Sequence, residues 1–309
     1  MHTKKRRLGA VVFITIAILT GCGRTTGNIV GETAGSPGSG SAEFNIVASF
    51  YPVYVATINI TKGIPGVTVK DMTKPQTGCL HDYSLKPDDL KTLEKADVFV
   101  INGAGMEAFL DRVIKQQKNL KIIEASRGIR LLKDGNGADN PHVWVSITNA
   151  VTYVNSIASQ LSEIDKVHAD AYKANASAYV QKLAALKKEM HDAIDGLKTR
   201  HIITFHEAFP YFAQEFNLHI AAVIEREPGS EPTPKELGGM IETIRKSGLK
   251  ALFAEPQYSS KAADAIARET GAKVYELDPV VTGDVSTDSY DAYINAMQKN
   301  KKTLQEALK

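Results

Sequence analysis

Four ionisable side chains stand where apolar runs of this 309-residue chain give way to polar ones. His81 follows the run Val67 to Met72, in Gly78-Cys79-Leu80-His81-Asp82-Tyr83. His142 sits in Asp139-Asn140-Pro141-His142-Val143-Trp144, where the proline holds the chain extended just before the ring. His206 closes an apolar run in Thr204-Phe205-His206-Glu207, and Asp278 closes another in Glu276-Leu277-Asp278-Pro279. Three imidazoles and a carboxylate suit a borderline divalent cation. Zn²⁺ takes nitrogen at about 2.0 to 2.1 Å and carboxylate oxygen at about 2.0 to 2.2 Å, commonly in a tetrahedron. Spacing alone leaves the assignment open. A His at a strand end is more often hydrogen-bonded or solvated than metallated, an Asp before Pro commonly forms a turn, and residues this distant cannot be gathered into one site by pattern.

The same residues admit a second chemistry. Three His ligands with an open fourth position make a catalytic zinc, and Glu207 beside His206 invites comparison with a metalloprotease base. Against this lipid-anchored zinc hydrolase, His206-Glu207-Ala208-Phe209-Pro210 lacks the second His of HExxH, and Pro210 interrupts the helix that motif requires. If Asp278 fills the fourth position, no water remains to be activated, so an enzyme is not expected. A surface adhesin is a third option, without the Tyr or Trp clustering that would support it. His168 and His191 fall on a long helical period where exposed imidazole is the default, and His201 and His219 stand at strand beginnings.

The elements that must position these side chains are read from the apolar patterning. Strands are expected over Asn45 to Phe50, Val67 to Met72, Asp97 to Asn102, Lys121 to Glu124, His201 to Phe205, Ile220 to Glu225, Ala251 to Glu255 and Lys273 to Leu277. Several are continuously apolar, as strands covered on both faces are. Helical periods fall between them, among them Pro87 to Glu94, Ala104 to Gln116, Pro234 to Ser247 and Ser260 to Thr270. Alternating strand and helix implies parallel α/β sheets, in which ligands bind beyond the carboxyl ends of the strands. From about Thr148 to Leu197 the sequence reads as helix throughout. Tyr172, Ala176, Tyr179, Leu183, Leu186, Met190 and Ile194 form a stripe at spacings of three or four. This predicts two lobes, at 44–165 and 198–309, joined by a stiff connecting helix at 166–197.

The composition excludes several partners. Lys4, Lys5, Arg6 and Arg7 account for four of the 37 positive charges, leaving 33 against 35 acidic residues from residue 22 onward. So even a balance gives no footprint for nucleic acid, which needs clustered Lys and Arg. The basic quartet precedes an apolar stretch from Leu8 to Leu19 that is too short to span a bilayer, and residues 1–21 read as an export signal. Leu19-Thr20-Gly21-Cys22 resembles the lipobox of bacterial lipoproteins, in which the Cys receives a lipid and becomes the mature N-terminus. Residues 22–43, with six glycines after Cys22, read as a flexible tether. Cys79 is the other of the two cysteines, so with Cys22 lipidated no intramolecular disulfide is expected.

Five long segments carry a family resemblance: CLHDYSLKPDDLKTLEKADVFVINGAGME at 79–107, NPHVW around His142, FHEAFPYF around His206, EPGSEPTPKEL at 227–237 and FAEPQYSSKAADAIARETGAKVYELDP at 253–279. Together they resemble the metal-binding lipoproteins (solute-binding proteins) of bacterial ABC importers for zinc and manganese, over nearly everything from Phe44 onward. The resemblance implies two α/β lobes joined by one rigid backbone helix, with metal held between them by His81, His142, His206 and Asp278. It implies a monomeric receptor, lipid-anchored through Cys22 to the outer face of the cytoplasmic membrane, that serves a permease. No Gly-rich GK[ST] loop is present, so the ATPase must be a separate cytoplasmic chain. The third ligand tends to be His in zinc-type members and Glu in many manganese-type ones. His206 therefore favours Zn²⁺, with Mn²⁺ as the alternative. Two features depart from the zinc pattern. Only Lys133-Asp134-Gly135-Asn136-Gly137-Ala138 stands where many zinc members insert a His- and acid-rich loop, and Cys79 stands two residues before His81, where a non-thiol residue is expected. A thiolate there would add a soft ligand, and Glu255 in FAEP is a candidate to orient a ligand from behind.

Overall fold

The computed structural model describes residues 43–80, 83–110, 113–114, 117, 119–224, 233–257, 261–285 and 289–309. Two four-stranded, all-parallel sheets are flanked by helices, the two-lobe α/β fold that the alternation predicts. The first sheet is built from β1 (Phe44–Ala48), β2 (Val67–Asp71), β3 (Val98–Ile101) and β4 (Lys121–Glu124), in the order β2-β1-β3-β4. The second is built from β5 (His201–Thr204), β6 (His219–Val223), β7 (Ala251–Ala254) and β8 (Lys273–Glu276), in the order β6-β5-β7-β8. Around them run α1 (Tyr51–Thr61), α2 (Pro87–Leu93), α3 (Ile147–Ile164), α4 (Ala169–Ile194), α5 (Pro210–Glu215), α6 (Pro234–Ser247), α7 (Lys261–Thr270) and α8 (Ala292–Ala307).

Side-chain alternation explains how each sheet is covered twice. In the first, Val47 and Phe99 point into a small cluster with Met72, Leu93 and Leu110, while Ile46, Ala48, Val98 and Val100 enter a larger one. In the second, Ile203 and Leu252 join Ile224, Ile244 and Ile266, whereas Ile202, Ala251 and Phe253 enter the same large cluster as the first sheet. That shared core also takes side chains from α1, α3, α4 and α8. The stripe expected on the connecting segment is the buried face of α4, residue for residue. At about 1.5 Å per residue its 26 residues extend about 39 Å.

Two expectations need correction. The helical reading from Thr148 to Leu197 is interrupted between Ile164 and Ala169. Asp165 accepts the N–H groups of Val167 and His168 and the hydroxyl of Tyr172, which closes α3 and starts α4 without Gly or Pro. Ala104 to Gln116 is not a continuous helix: its described part holds turns, a short 3₁₀ stretch, Ala108–Leu110, and helical backbone only at 113–114. Gly103, Ala104 and Gly105 all have positive φ, a conformation no right-handed helix contains. Gly103 is further required by closeness, since a Cβ there would stand 2.3 Å from the Glu124 side chain. Glu107 stabilises this turn, its carboxylate accepting the N–H groups of Asn102 and Gly103 and the hydroxyl of Ser49.

Candidate metal centre

The chemistry-bearing residues lie beyond the carboxyl ends of strands, where parallel sheets place ligands. Cys79 is on the loop after β2, His206 is two residues past β5, and Asp278 is two residues past β8. His142 precedes the single 3₁₀ turn Val143–Val145 that leads into α3, whose first turn is capped by Ser146 Oγ accepting from the Asn149 N–H.

Three ligand atoms converge. His142 Nε2 and His206 Nε2 are 3.0 Å apart, Cys79 Sγ is 3.5 Å from His142 Nε2, and all three atoms lie within 4.8 Å of one another. The rings of His142 and His206 meet nearly edge-on, at an interplanar angle of 82°. Both histidines are 2% exposed. Two nitrogens bound to one tetrahedral zinc stand about 3.3 Å apart, and a bound sulfur stands about 3.6 Å from either. The observed separations are those of side chains that one small ion could bridge.

The imidazole of His142 is aimed by Asn140. Its backbone N–H and its Nδ1 both lie 3.0 Å from Asn140 Oδ1, an oxygen that can only accept. Nδ1 therefore carries the hydrogen, and the lone pair is on Nε2, toward His206 and Cys79. The other end of Asn140 fixes the opposite lobe, with Nδ2 donating to the Glu207 carbonyl at 2.9 Å. Tyr211 completes the arrangement by donating to the Asn140 carbonyl while accepting from the Leu132 N–H. Trp144 lies 5.4 Å from the His142 ring and donates its indole N–H to the Pro279 carbonyl, next to Asp278.

Asp278 and Glu255 are two desolvated acids of the second lobe. Burial pushes the Asp278 carboxyl up, with the charge of Glu276 pushing the same way and the Val280 N–H opposing through Oδ1. Burial and then the charge of Asp278 push Glu255 well above the usual carboxylate range. Glu255 Oε2 accepts from Gln257, and its buried Oε1 has no hydrogen-bond partner among the described residues. A cation near them would relieve the desolvation of both acids.

A sequence model of the family "Zinc-uptake complex component A periplasmic" matches residues 46–307. The chain belongs to this family. Among curated members it is 28% identical over 317 residues to the high-affinity zinc uptake system protein ZnuA of Bacillus subtilis, covering 96% of each chain. It is 30% identical over 292 residues to the zinc-binding protein AdcA of Streptococcus pyogenes serotype M1, covering 84% of this chain and 55% of AdcA. The chain thus spans about half the length of the AdcA relatives it matches. Among solved structures, a crystal structure of ZnuA superposes with a TM-score of 0.75 at 29% identity, covering 86% of this chain and 99% of that one. FpvC of Pseudomonas aeruginosa in complex with Mn²⁺ gives a TM-score of 0.77 at 30% identity, covering 86% and 98%.

In this zinc-uptake family member the residues expected from sequence fall into three groups. His142, His206 and Cys79 are brought together. The Asp278 carboxylate stands outside that 4.8 Å group, and Glu255 accepts a hydrogen bond from Gln257. His81, and Cys22 at the start of the tether, lie outside the described residues. Asn140 is not singled out by sequence reasoning. Its signal is available as Asn-Pro-His, since an Asn two residues before another residue readily caps that residue's N–H.

Proposed function

We propose that the protein is an extracytoplasmic receptor that captures Zn²⁺ and delivers it to an ABC-type importer. The observation that carries this reading is the pair of buried, facing Nε2 atoms of His142 and His206, 3.0 Å apart. The three imidazoles of His81, His142 and His206 would replace water on the ion, and Asp278 is the carboxylate candidate for the remaining position. Only the neutral ring coordinates, so Asn140 serves capture by holding the Nδ1–H tautomer of His142. His142 comes from the segment after the first sheet and His206 from the end of a strand in the second, so the ion would join the lobes.

Transport rather than hydrolysis fits the surroundings of the one candidate base. Glu207 Oε1 accepts the Gly135 N–H in an exposed loop, and Pro210 opens α5 instead of lying inside a helix. The proposal includes a membrane permease with a separate ATPase as partners and a lipid on Cys22 as anchor. Among the described residues no helix is long and apolar enough to cross a membrane. Mn²⁺ is the second reading, because the FpvC structure holding Mn²⁺ shares this fold at 30% identity. Elemental analysis of the purified chain, with Zn²⁺ and Mn²⁺ competing, tests the proposal. Zinc is expected at one ion per chain in the wild type and well below that in His206→Ala; equal content in both would remove His206 from the site.

A further inference from the structure

The capture reading leaves Cys79 without a role. A tetrahedral zinc accepts four donors, and among the described residues His142 and His206 supply two nitrogens. Asp278 stands outside the group of converging atoms, with Oδ1 engaged by the Val280 N–H at 2.7 Å. Cys79 stands inside it, with Sγ at 3.5 Å from His142 Nε2, close to the separation of about 3.6 Å that a shared tetrahedral zinc imposes. The residue is 9% exposed, so the sulfur is withdrawn from bulk solvent.

We propose that Cys79 joins His142 and His206 on the ion as a thiolate ligand, and that this sulfur determines the choice of zinc over manganese. The inference rests on the capture reading above and deepens it. Binding replaces the thiol S–H bond with an S–metal bond and releases the proton to solvent, so no oxidant or reductant is involved. Thiolate is a soft donor that zinc accepts readily, whereas Mn²⁺ prefers oxygen donors and higher coordination. Exchanging the sulfur for oxygen therefore acts on the two metals unequally.

The test uses the full chain stripped of metal and loaded with Co²⁺, whose thiolate complexes show a sulfur-to-metal charge-transfer absorption in the near ultraviolet. The wild type is expected to show that band, Asp278→Asn to keep it, and Cys79→Ser to lose it. In competition, Cys79→Ser is expected to lose zinc affinity on the order of tenfold or more, with Mn²⁺ affinity changed by far less. The wild-type spectrum needs no variant, and Cys79→Ala with circular dichroism guards against a folding defect in the serine form. Absence of the band in cobalt-loaded wild type, or equal loss of both metals in Cys79→Ser, would overturn the inference. If His206→Ala then still abolishes binding, the capture reading stands; if His206→Ala also binds normally, both fall.

Discussion

Asn140 Oδ1 lies 3.0 Å from Nδ1 of His142, and the same side chain donates through Nδ2 to the carbonyl next to His206. One amide therefore sets the tautomer of one imidazole and anchors the segment that carries the other. Removing an outer partner of this kind typically costs about 10- to 100-fold in metal affinity. Asn140→Ala should lose affinity in that range while His142 and His206 remain. Asn140→Asp keeps the acceptor but loses the donor to Glu207, so it should retain most of the affinity. Isothermal titration with Zn²⁺ on the three proteins checks this, and an alanine variant that binds as tightly as wild type would remove the orienting role.

Trp144 is the chain's single tryptophan, and its ring stands 5.4 Å from that of His142. An ion captured at His142 changes the charge and order around the indole, so intrinsic emission should shift on addition of zinc and return on chelation. Trp144→Phe leaves the Pro279 carbonyl without its donor in a buried setting, at a cost of about 1 to 3 kcal/mol. A urea midpoint unchanged by that substitution would show that the bond between the two segments contributes nothing to stability.

Zinc should stabilise the folded chain, because its proposed ligands come together only in that state. The gain follows RT ln(1 + [L]/Kd), about 4 kcal/mol at a thousandfold excess over Kd. A melting temperature that rises with zinc concentration in wild type, and does not in His142→Ala, is the expected pattern. Parallel rises in both proteins would place the stabilising ion elsewhere.

How much of the molecule is legible in residue order depends on how burial is distributed. The eight strands are marked by short apolar runs, several of them continuous, and the α4 stripe is marked because one face is buried and the other solvated. Helix α1 carries almost no such signal: Tyr51–Thr61 is buried on nearly every side, so its period disappears. The turn at Gly103 to Gly105 reads as helix because Glu107, which satisfies its N–H groups, lies later in sequence and looks like an ordinary helical acid. At the site, the ends of apolar runs pick out His206 and Asp278 and the Asn-Pro-His motif picks out His142, but spacing carries no information on which atoms meet. That Cys79 stands in the group and the Asp278 carboxylate outside it is a matter of loop path, which residue order does not encode.

Glu107 gives the last prediction, because its burial makes stability depend on pH. Burial pushes its carboxyl from 4.5 up to about 7, against the opposing pull of the Asn102 N–H, the Ser49 hydroxyl and the Gly103 N–H. A carboxyl whose folded value lies above its unfolded value favours the folded state in its protonated form. Its contribution is fully present below about 4.5 and is lost as pH rises through about 7. Each tenfold difference in proton affinity between the folded and unfolded chain is worth about 1.4 kcal/mol, so the loss is on the order of 3 kcal/mol at most. Glu107→Gln cannot ionise, and it gives up one acceptor oxygen, costing about 1 to 3 kcal/mol at every pH. The variant should therefore be clearly less stable than wild type at pH 5 and approach or match it at pH 8. Urea denaturation of the metal-free protein across that interval measures the difference, and a constant gap between the two proteins would mean that Glu107 does not titrate there.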